Sequence, residues 1–584
     1  MAKTMSDTIE AKTPRKRKPH FFVTFSHWSM VLLLALSLLT GMRLGWGYLE
    51  SGLGGPYGMW ATLLNAIAPR GTLLGINLIT LHVTLAFLFL LNTCMYAGYL
   101  FLSGDTRRLR FTNRDLKSLL TGLVTRQFRQ NKRALWSANL LVYWIAFTFV
   151  AVLLVTGVAL YREDWGLSQL LGGYGAMRLL HGFAAYLFLP YIILHITLQW
   201  WFGQFWSIFR IQWHRPHLKA GLIGLALSLM AVGGVYGWNQ RLKTLTVPRI
   251  TQASGTPVLD GKPHDPAWQQ AQPVTIRTVK GINNPHDFVD VDVKALHDGQ
   301  HIYFRMQWDD PDVSSKRFPL LKTAEGWKVL QTAMASSNED VYYEDKLAVY
   351  ITDVPRGGCA ETCHVGVGPE GVPKGVHYTN GETGDVWHWK SVRTAPMGIL
   401  QGEPGLMDDQ YFRPPDPLPE KVVKRYKGGY HADPKSGGGY RSNFVKLDPE
   451  KPLEETYVKP IMLPPSNEIV PDPDPATSEH NVTWWIHEAE GIPYSEEADT
   501  YPVGTLIPNI LIKPIEGDRA DVKAQAGWHD GVWTLEIKRG LDTQSDYDVA
   551  FDTEHPVYLS VATFNRTQVR HSEHIRPIKV VLKE

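Results

Sequence analysis

Five apolar runs, near residues 27–46, 73–102, 136–160, 178–202 and 219–238, dictate what the first 240 residues of this 584-residue chain become. Each is long enough to cross a bilayer, which takes about 20 residues. A chain inside lipid must satisfy its backbone hydrogen bonds within each crossing, so the runs are expected as helices. The first run follows a basic leader, "PRKRKPHFFVTFSHW", which makes a cleaved signal peptide the alternative. The run is too long for one and no small-residue cleavage site follows it. Residues 1–26 are therefore expected as a retained leader, and residues 27–240 as a five-span membrane domain.

Basic residues set the orientation. The leader carries Lys12, Arg15, Lys16, Arg17 and Lys18, and the connection after the second run carries a basic series from Arg107 to Arg133. The turn after the fourth run adds Arg210, Arg215 and Lys219. The 47–72 and 161–177 connections hold one arginine each, Arg70 and Arg162. The N-terminus is thus expected in the cytoplasm of a bacterium, the spans in its inner membrane, and residues after about 239 in the periplasm. The overall net charge of +2 gives no footprint for nucleic acid.

An ionisable residue within a span is costly and points to function. Four histidines occupy the runs: His27 in the first, His82 in the second, and His181 and His195 in the fourth. Neutral imidazole is an axial ligand of haem iron, and a haem b between helices takes two such ligands. His181 and His195 are 14 residues apart, close to four turns, so they share one face about 21 Å apart along the helix. That spacing suits two haems b, one towards each membrane surface. Depth pairs His27 with His195 on the cytoplasmic side and His82 with His181 on the periplasmic side. The alternative is that each histidine merely hydrogen-bonds a neighbouring helix.

These residues carry a family likeness. "FSHWSMVLLLALSLLTG", with His–Trp entering the first span, resembles the di-haem cytochrome b subunits of nickel–iron hydrogenases and respiratory formate dehydrogenases, over about residues 18–215. The resemblance implies a quinone site close to the cytoplasmic-side haem. The fifth run holds no histidine and is read as a connector.

From about residue 248 the pattern changes to short alternating segments: "VDVKALHDGQHIYFRMQW", "DKLAVYITDV", "GVWTLEIKRGL", "PVYLSVATFN" and "IKVVLKE". Strands at this density predict an all-β sandwich over residues 248–584, with "HDGQ" as a hairpin turn. Residues 400–480, rich in Pro, Gly and charge, are expected as an irregular insertion, either a docking surface, a strap over the cofactor or a tolerated loop. "VLDGKPHDPAWQQAQPV" resembles the opening of sandwich domains related to one class of carbohydrate-binding module. The haem-binding γ subunit of ethylbenzene dehydrogenase and its relatives share that architecture. "GDVWHWKSVRT" and "GDRADVKAQAGWHDGVWTLEIKRGL" strengthen the likeness to that haem-binding family.

The chain has three cysteines. Cys94 lies in an apolar run and is read as a packing residue. Cys359, Cys363 and His364 lie together in "GGCAETCHVG", one residue longer than the C-x-x-C-H that attaches haem c through two thiols and an axial histidine. One extra residue leaves both sulfurs able to reach a porphyrin edge. A Cys359–Cys363 disulfide is the alternative, which an oxidising compartment permits; zinc is disfavoured because no second cysteine pair accompanies this one. For the sixth ligand, His377, His388, Met397, His571 and His574 are chemically suitable. The family's b-haem members use methionine and a lysine near the C-terminus, which implies His571 or His574 in "RHSEH", with His388 in "WHWK" as the rival.

The chain is accordingly expected to be a membrane-bound multihaem electron-transfer protein: two haems b exchanging electrons with quinone, and one haem c facing a periplasmic redox protein or catalytic subunit. Two alternatives stand: an anchor subunit of a larger dehydrogenase or hydrogenase, and a membrane-anchored ligand-binding or sensor protein. No hydrolytic triad or metal-hydrolase motif is evident.

Overall fold

The structure, a computed structural model, describes residues 20–44, 72–73, 76–125, 132–201, 205–209, 215–251, 255–262, 264–284, 286–330, 342–355, 363–367, 373–377, 382–412, 430–465, 483–568 and 570–584. The chain divides into two compact units: one holds the apolar helices, and the other holds the β-rich region together with residues Val158–Arg178.

Among the described residues, five helices are long and apolar enough to cross a membrane: Phe21–Met42, Leu78–Ser103, Arg133–Tyr161, Tyr174–Trp201 and His217–Asn239. Span one begins earlier than its hydropathy suggests, because Phe21, Phe22 and Val23 continue the helix that the leader was expected to precede. The end of the proposed 1–26 leader is therefore helical, and His27 lies nearly two turns inside the span. Spans one and two are tied by Asn92, whose Nδ2 donates to the carbonyl of Ser26 at 2.9 Å. Span five is more than a connector. A Cβ at Gly98 of span two would stand 3.1 Å from the Gly224 Cα of span five, so the two backbones meet where only glycine fits. Small residues at a crossing are how helices associate where lipid is as apolar as their side chains.

The second unit contains two seven-stranded sheets. One runs in the order 430–432, 408–412, 384–390, 346–352, 557–564, 578–582, 244–247; the other in the order 405–406, 523–529, 532–540, 301–309, 288–297, 274–280, 572–573. Residues from both sheets, among them Phe304, Met306, Val349, Trp387, Leu535 and Val561, share one buried cluster, which makes the sheets a sandwich. Each expected alternating segment lies on a strand. "HDGQ" does close a hairpin: His297 pairs with Ile302, Gly299 takes φ +96°, and the Asp298 carboxylate accepts the Gln300 N–H at 2.8 Å.

The expected irregular insertion is corrected in part. Its described residues include Asp408–Phe412 and Tyr430–Ala432 in the first sheet, and Gly437–Ser442 paired with Ile510–Glu516. These strands are short, and the last has a register shift between Gly437 and Gly439. Segments that short do not establish the two-residue period by which strands are read from sequence.

The opening motif of the sandwich has a specific anchor. Glu536, fully buried, accepts from the Trp268 indole at 2.9 Å and from the backbone N–H of Asp260 and Gly261 at 3.0 Å each. Gly261 takes φ +72°, and a Cβ there would stand 2.5 Å from the Ala526 carbonyl carbon, so the turn needs glycine. Glu536→Ala leaves two buried donors, the Trp268 indole and the Gly261 N–H, and the part-buried Asp260 N–H without their acceptor, and is expected to lower unfolding stability by about 1–3 kcal/mol, measured by denaturant titration of the β-domain transition. An unchanged midpoint would show that the motif is not held this way.

Candidate haem-binding site

The bundle brings the four histidines together as two facing pairs. The ring centroids of His27 and His195 are 6.3 Å apart, and those of His82 and His181 are also 6.3 Å apart. An imidazole nitrogen bonded to a metal lies about 2 Å from it and the ring centre about 1 Å further, so rings ligating one iron from opposite faces stand about 6 Å apart. Both pairs fit that span.

The His82–His181 pair has an additional device. His82 Nδ1 lies 2.8 Å from Thr40 Oγ1 of span one, and His181 Nδ1 lies 2.8 Å from Thr156 Oγ1 of span three. Each hydroxyl has one proton, and each donates it backwards: Thr40 to the Leu36 carbonyl at 2.9 Å, Thr156 to the Val152 carbonyl at 2.6 Å. The hydroxyl oxygen is then left to accept, so the imidazole donates from Nδ1 and keeps its lone pair on Nε2. That is the tautomer a metal needs, fixed by a partner outside the ligand shell. The neighbouring residue makes room: a Cβ at Gly41 would stand 3.1 Å from His82 Cε1, and one at Gly157 would stand 3.4 Å from His181 Cε1. The bland alternative, a histidine bonded to its neighbouring helix, thus describes one ring nitrogen and leaves the other for a ligand.

The His27–His195 pair is built differently. His195 stacks on Tyr191 one turn before it, with centroids 5.9 Å apart and planes 19° apart. Its Nδ1 is buried with no hydrogen-bond partner among the described residues.

Neither threonine nor glycine was singled out from the sequence. The signal was present as a repeat: Thr-Gly occurs near the end of span one (Thr40–Gly41) and again near the end of span three (Thr156–Gly157).

In the β-rich unit, Cys359 lies outside the described residues. Cys363 and His364 belong to the strand Cys363–Val367, which pairs antiparallel with Pro373–His377 and sets Cys363 opposite His377 in the register. The other sixth-ligand candidates separate. Met397 is fully buried in an aliphatic cluster with Val392, Leu406 and Ile510, where its packing accounts for it. His574 is buried, and burial, with Lys243 and Arg576 nearby, pushes its imidazole down to about 3. His388 and His571 share a neighbour: the Phe564 ring stands 5.2 Å from His388 and 4.6 Å from His571, centre to centre. His388 points away from the sandwich core, on the face opposite Trp387 and Trp389, yet its Nε2 is buried and unpartnered among the described residues. Burial, then Lys390, Lys346 and Arg393, holds its imidazole well below the usual range and hence neutral. Lys346 Nζ lies 4.1 Å over the Phe564 ring and donates to the Gln568 carbonyl at 3.0 Å. A neutral imidazole, an aromatic face and a lysine amine whose burial, with Arg393 nearby, holds it well below its usual pKa line a site suited to a flat ligand.

Two family models match the chain: residues 20–208 match prokaryotic cytochrome b561, and residues 265–576 match ethylbenzene dehydrogenase. No curated protein matches. Solved structures that match include a family 9 carbohydrate-binding module of Caldicellulosiruptor kristjanssonii with cellotriose, at 8% identity over 58% of this chain and 94% of that one, TM-score 0.21. A putative carbohydrate-binding protein of Bacteroides uniformis matches at 7% identity over 59% of this chain and 100% of that one, TM-score 0.24.

Thr156→Val keeps the shape of the side chain and removes the acceptor for His181 Nδ1. It is expected to weaken haem b retention about 10–100-fold, measured as haem b per chain after detergent washing. Thr148→Val, on the same helix and exposed, is the control expected to change nothing.

Proposed function

Because the chain belongs to the ethylbenzene dehydrogenase family through residues 265–576, and matches prokaryotic cytochrome b561 over residues 20–208, we propose that it passes electrons between a membrane quinone pool and a periplasmic partner. It is a membrane cytochrome b redox subunit. The observation that carries the reading is the pair of imidazole pairs, each at 6.3 Å. His27 with His195, and His82 with His181, hold one haem b each, towards the cytoplasmic and periplasmic faces. Haem supplies one-electron transfer at its iron.

The remaining roles belong to the chain. Thr40 and Thr156 hold a proton on Nδ1 and so keep Nε2 available. Gly41 and Gly157 let the rings approach the helix backbone. Tyr191 fixes the plane of His195. Residues 1–19 keep the N-terminus cytoplasmic through their basic residues, and the β-rich unit faces the periplasm. There Cys359 and Cys363 would attach a haem c, and His364 with His571 or His388 would hold its iron. The shared Phe564 contact and the buried Lys346 support that pair over the other candidates. The ethylbenzene dehydrogenase family name also favours a second reading, in which the same chain anchors a larger enzyme; a catalytic subunit that stays bound through detergent purification would mark it.

A pyridine haemochrome assay on the purified chain is expected to give about two haems b per haem c. Absence of both would end the electron-transfer reading. His195→Ala is expected to remove one haem b and leave the c-type absorbance, and Cys363→Ser to abolish covalent haem staining of the denatured chain. Loss of neither or both haem types in His195→Ala would overturn the pairing.

A further inference from the structure

A cluster of acidic side chains lies between the two sheets, on the face of the first sheet opposite His388. Asp385 begins the strand Gly384–Lys390, and Asp409 lies on the adjacent strand Asp408–Phe412, opposite Trp387. Asp433 follows the next strand of that sheet, and Asp548 comes from the connection after the strand Val532–Gly540. Asp385 and Asp409 are fully buried and Asp433 is 3% exposed. One oxygen from each of Asp385, Asp409 and Asp548 falls within 4.8 Å of the others.

One cation is already present. Arg539 donates to Asp385 Oδ2 at 2.8 Å and lies 3.0 Å from Asp548 Oδ2. The Val549 N–H also reaches Asp385 Oδ2, at 3.2 Å, and Thr543 donates to Asp548 Oδ2. Those contacts use one oxygen of each carboxylate and leave the other. Asp385 Oδ1, Asp409 Oδ2, Asp548 Oδ1 and both oxygens of Asp433 are buried without a hydrogen-bond partner among the described residues. The Trp387 indole approaches Asp385 without reaching hydrogen-bond geometry.

Four buried carboxylates against one guanidinium are not a stable inventory, since buried charge persists only when it is paired or coordinates a metal. The unused atoms are all carboxylate oxygens, the donor set of a hard cation. Calcium binds such oxygens at about 2.3–2.6 Å, so donors on opposite sides of one ion stand about 5 Å apart, which the 4.8 Å envelope accommodates. The absence of nitrogen and sulfur donors argues against zinc. We propose that Asp385, Asp409 and Asp548 form a calcium site, with the Asp433 carboxylate beside it, that clamps the edge of the first sheet to the Asp548 connection. The alternative occupant is protons: burial, outweighing Arg539, together with repulsion from Asp548, pushes Asp385 up to about 7, and burial with the neighbouring aspartates pushes Asp433 up to about 8.

The test uses the full chain in detergent, stripped with EDTA and desalted. Added calcium is expected to raise the thermal midpoint of the β-domain transition, and about one calcium per chain should remain after dialysis. Terbium, substituted for calcium, should luminesce on tryptophan excitation, because Trp387 lies against Arg539 at 5.2 Å. Asp409→Asn and Asp433→Asn are each expected to weaken calcium binding at least about tenfold. Asp552→Asn, at an exposed turn that holds its own backbone, should leave it unchanged. A wild-type chain that retains no calcium and shows no shift overturns the proposal and assigns the cluster to shared protons. An equal shift with magnesium overturns the choice of calcium. Because neither readout involves haem, the outcome is independent of the electron-transfer reading.

Discussion

The bundle depends on keeping an imidazole neutral, oriented and accessible inside an apolar helix pair. A bare polar group there costs several kcal/mol unless something satisfies it. The His82–His181 pair meets that cost on one side of each ring with a threonine hydroxyl, whose own proton goes to a backbone carbonyl one turn earlier. The chain of donors runs in one direction only, so the free nitrogen is Nε2. The Thr-Gly pairs in spans one and three apply one local solution twice: threonine sets the proton, and glycine lets the ring come close enough to reach it.

The β-rich unit faces the opposite problem, since it buries charge rather than avoiding it. Glu344 holds Arg393, and Asp408 holds both Lys390 and Arg519, with Tyr440 donating to the same carboxylate at 2.8 Å. Burial pushes Glu344 and Asp408 upward, but their cationic partners outweigh it and hold both below the usual carboxylate range. In these networks every carboxylate has at least one cationic partner. Around Arg539 the surplus is carboxylate, and the unpartnered oxygens there are what the proposed calcium site rests on.

Much of the architecture was legible in the residues. Span number, the pairing of His27 with His195 and His82 with His181, and the strand-rich second half follow from hydropathy, charge bias and spacing, all of which act along the chain. The span-one boundary was missed because aromatic residues at a membrane interface extend a helix without raising its hydropathy much. The strands within residues 400–480 were missed because they are held by partners far away in sequence rather than by their own period. Thr40 was not legible as a partner of His82, 42 residues away, and Phe564 was not legible as the ring between two rival ligands.

The sequence by itself determined how many times the chain crosses an apolar phase, the depth at which each imidazole lies, and where helices give way to strands. Local periodicity and hydropathy decide those matters residue by residue. Only the tertiary structure decided which nitrogen of His82 and His181 stays free, which glycines make room for a ring, and that Asp385, Asp409 and Asp548 converge beside Arg539. Those outcomes depend on register and helix contact across long separations, where one residue of slip moves a side chain to the opposite face.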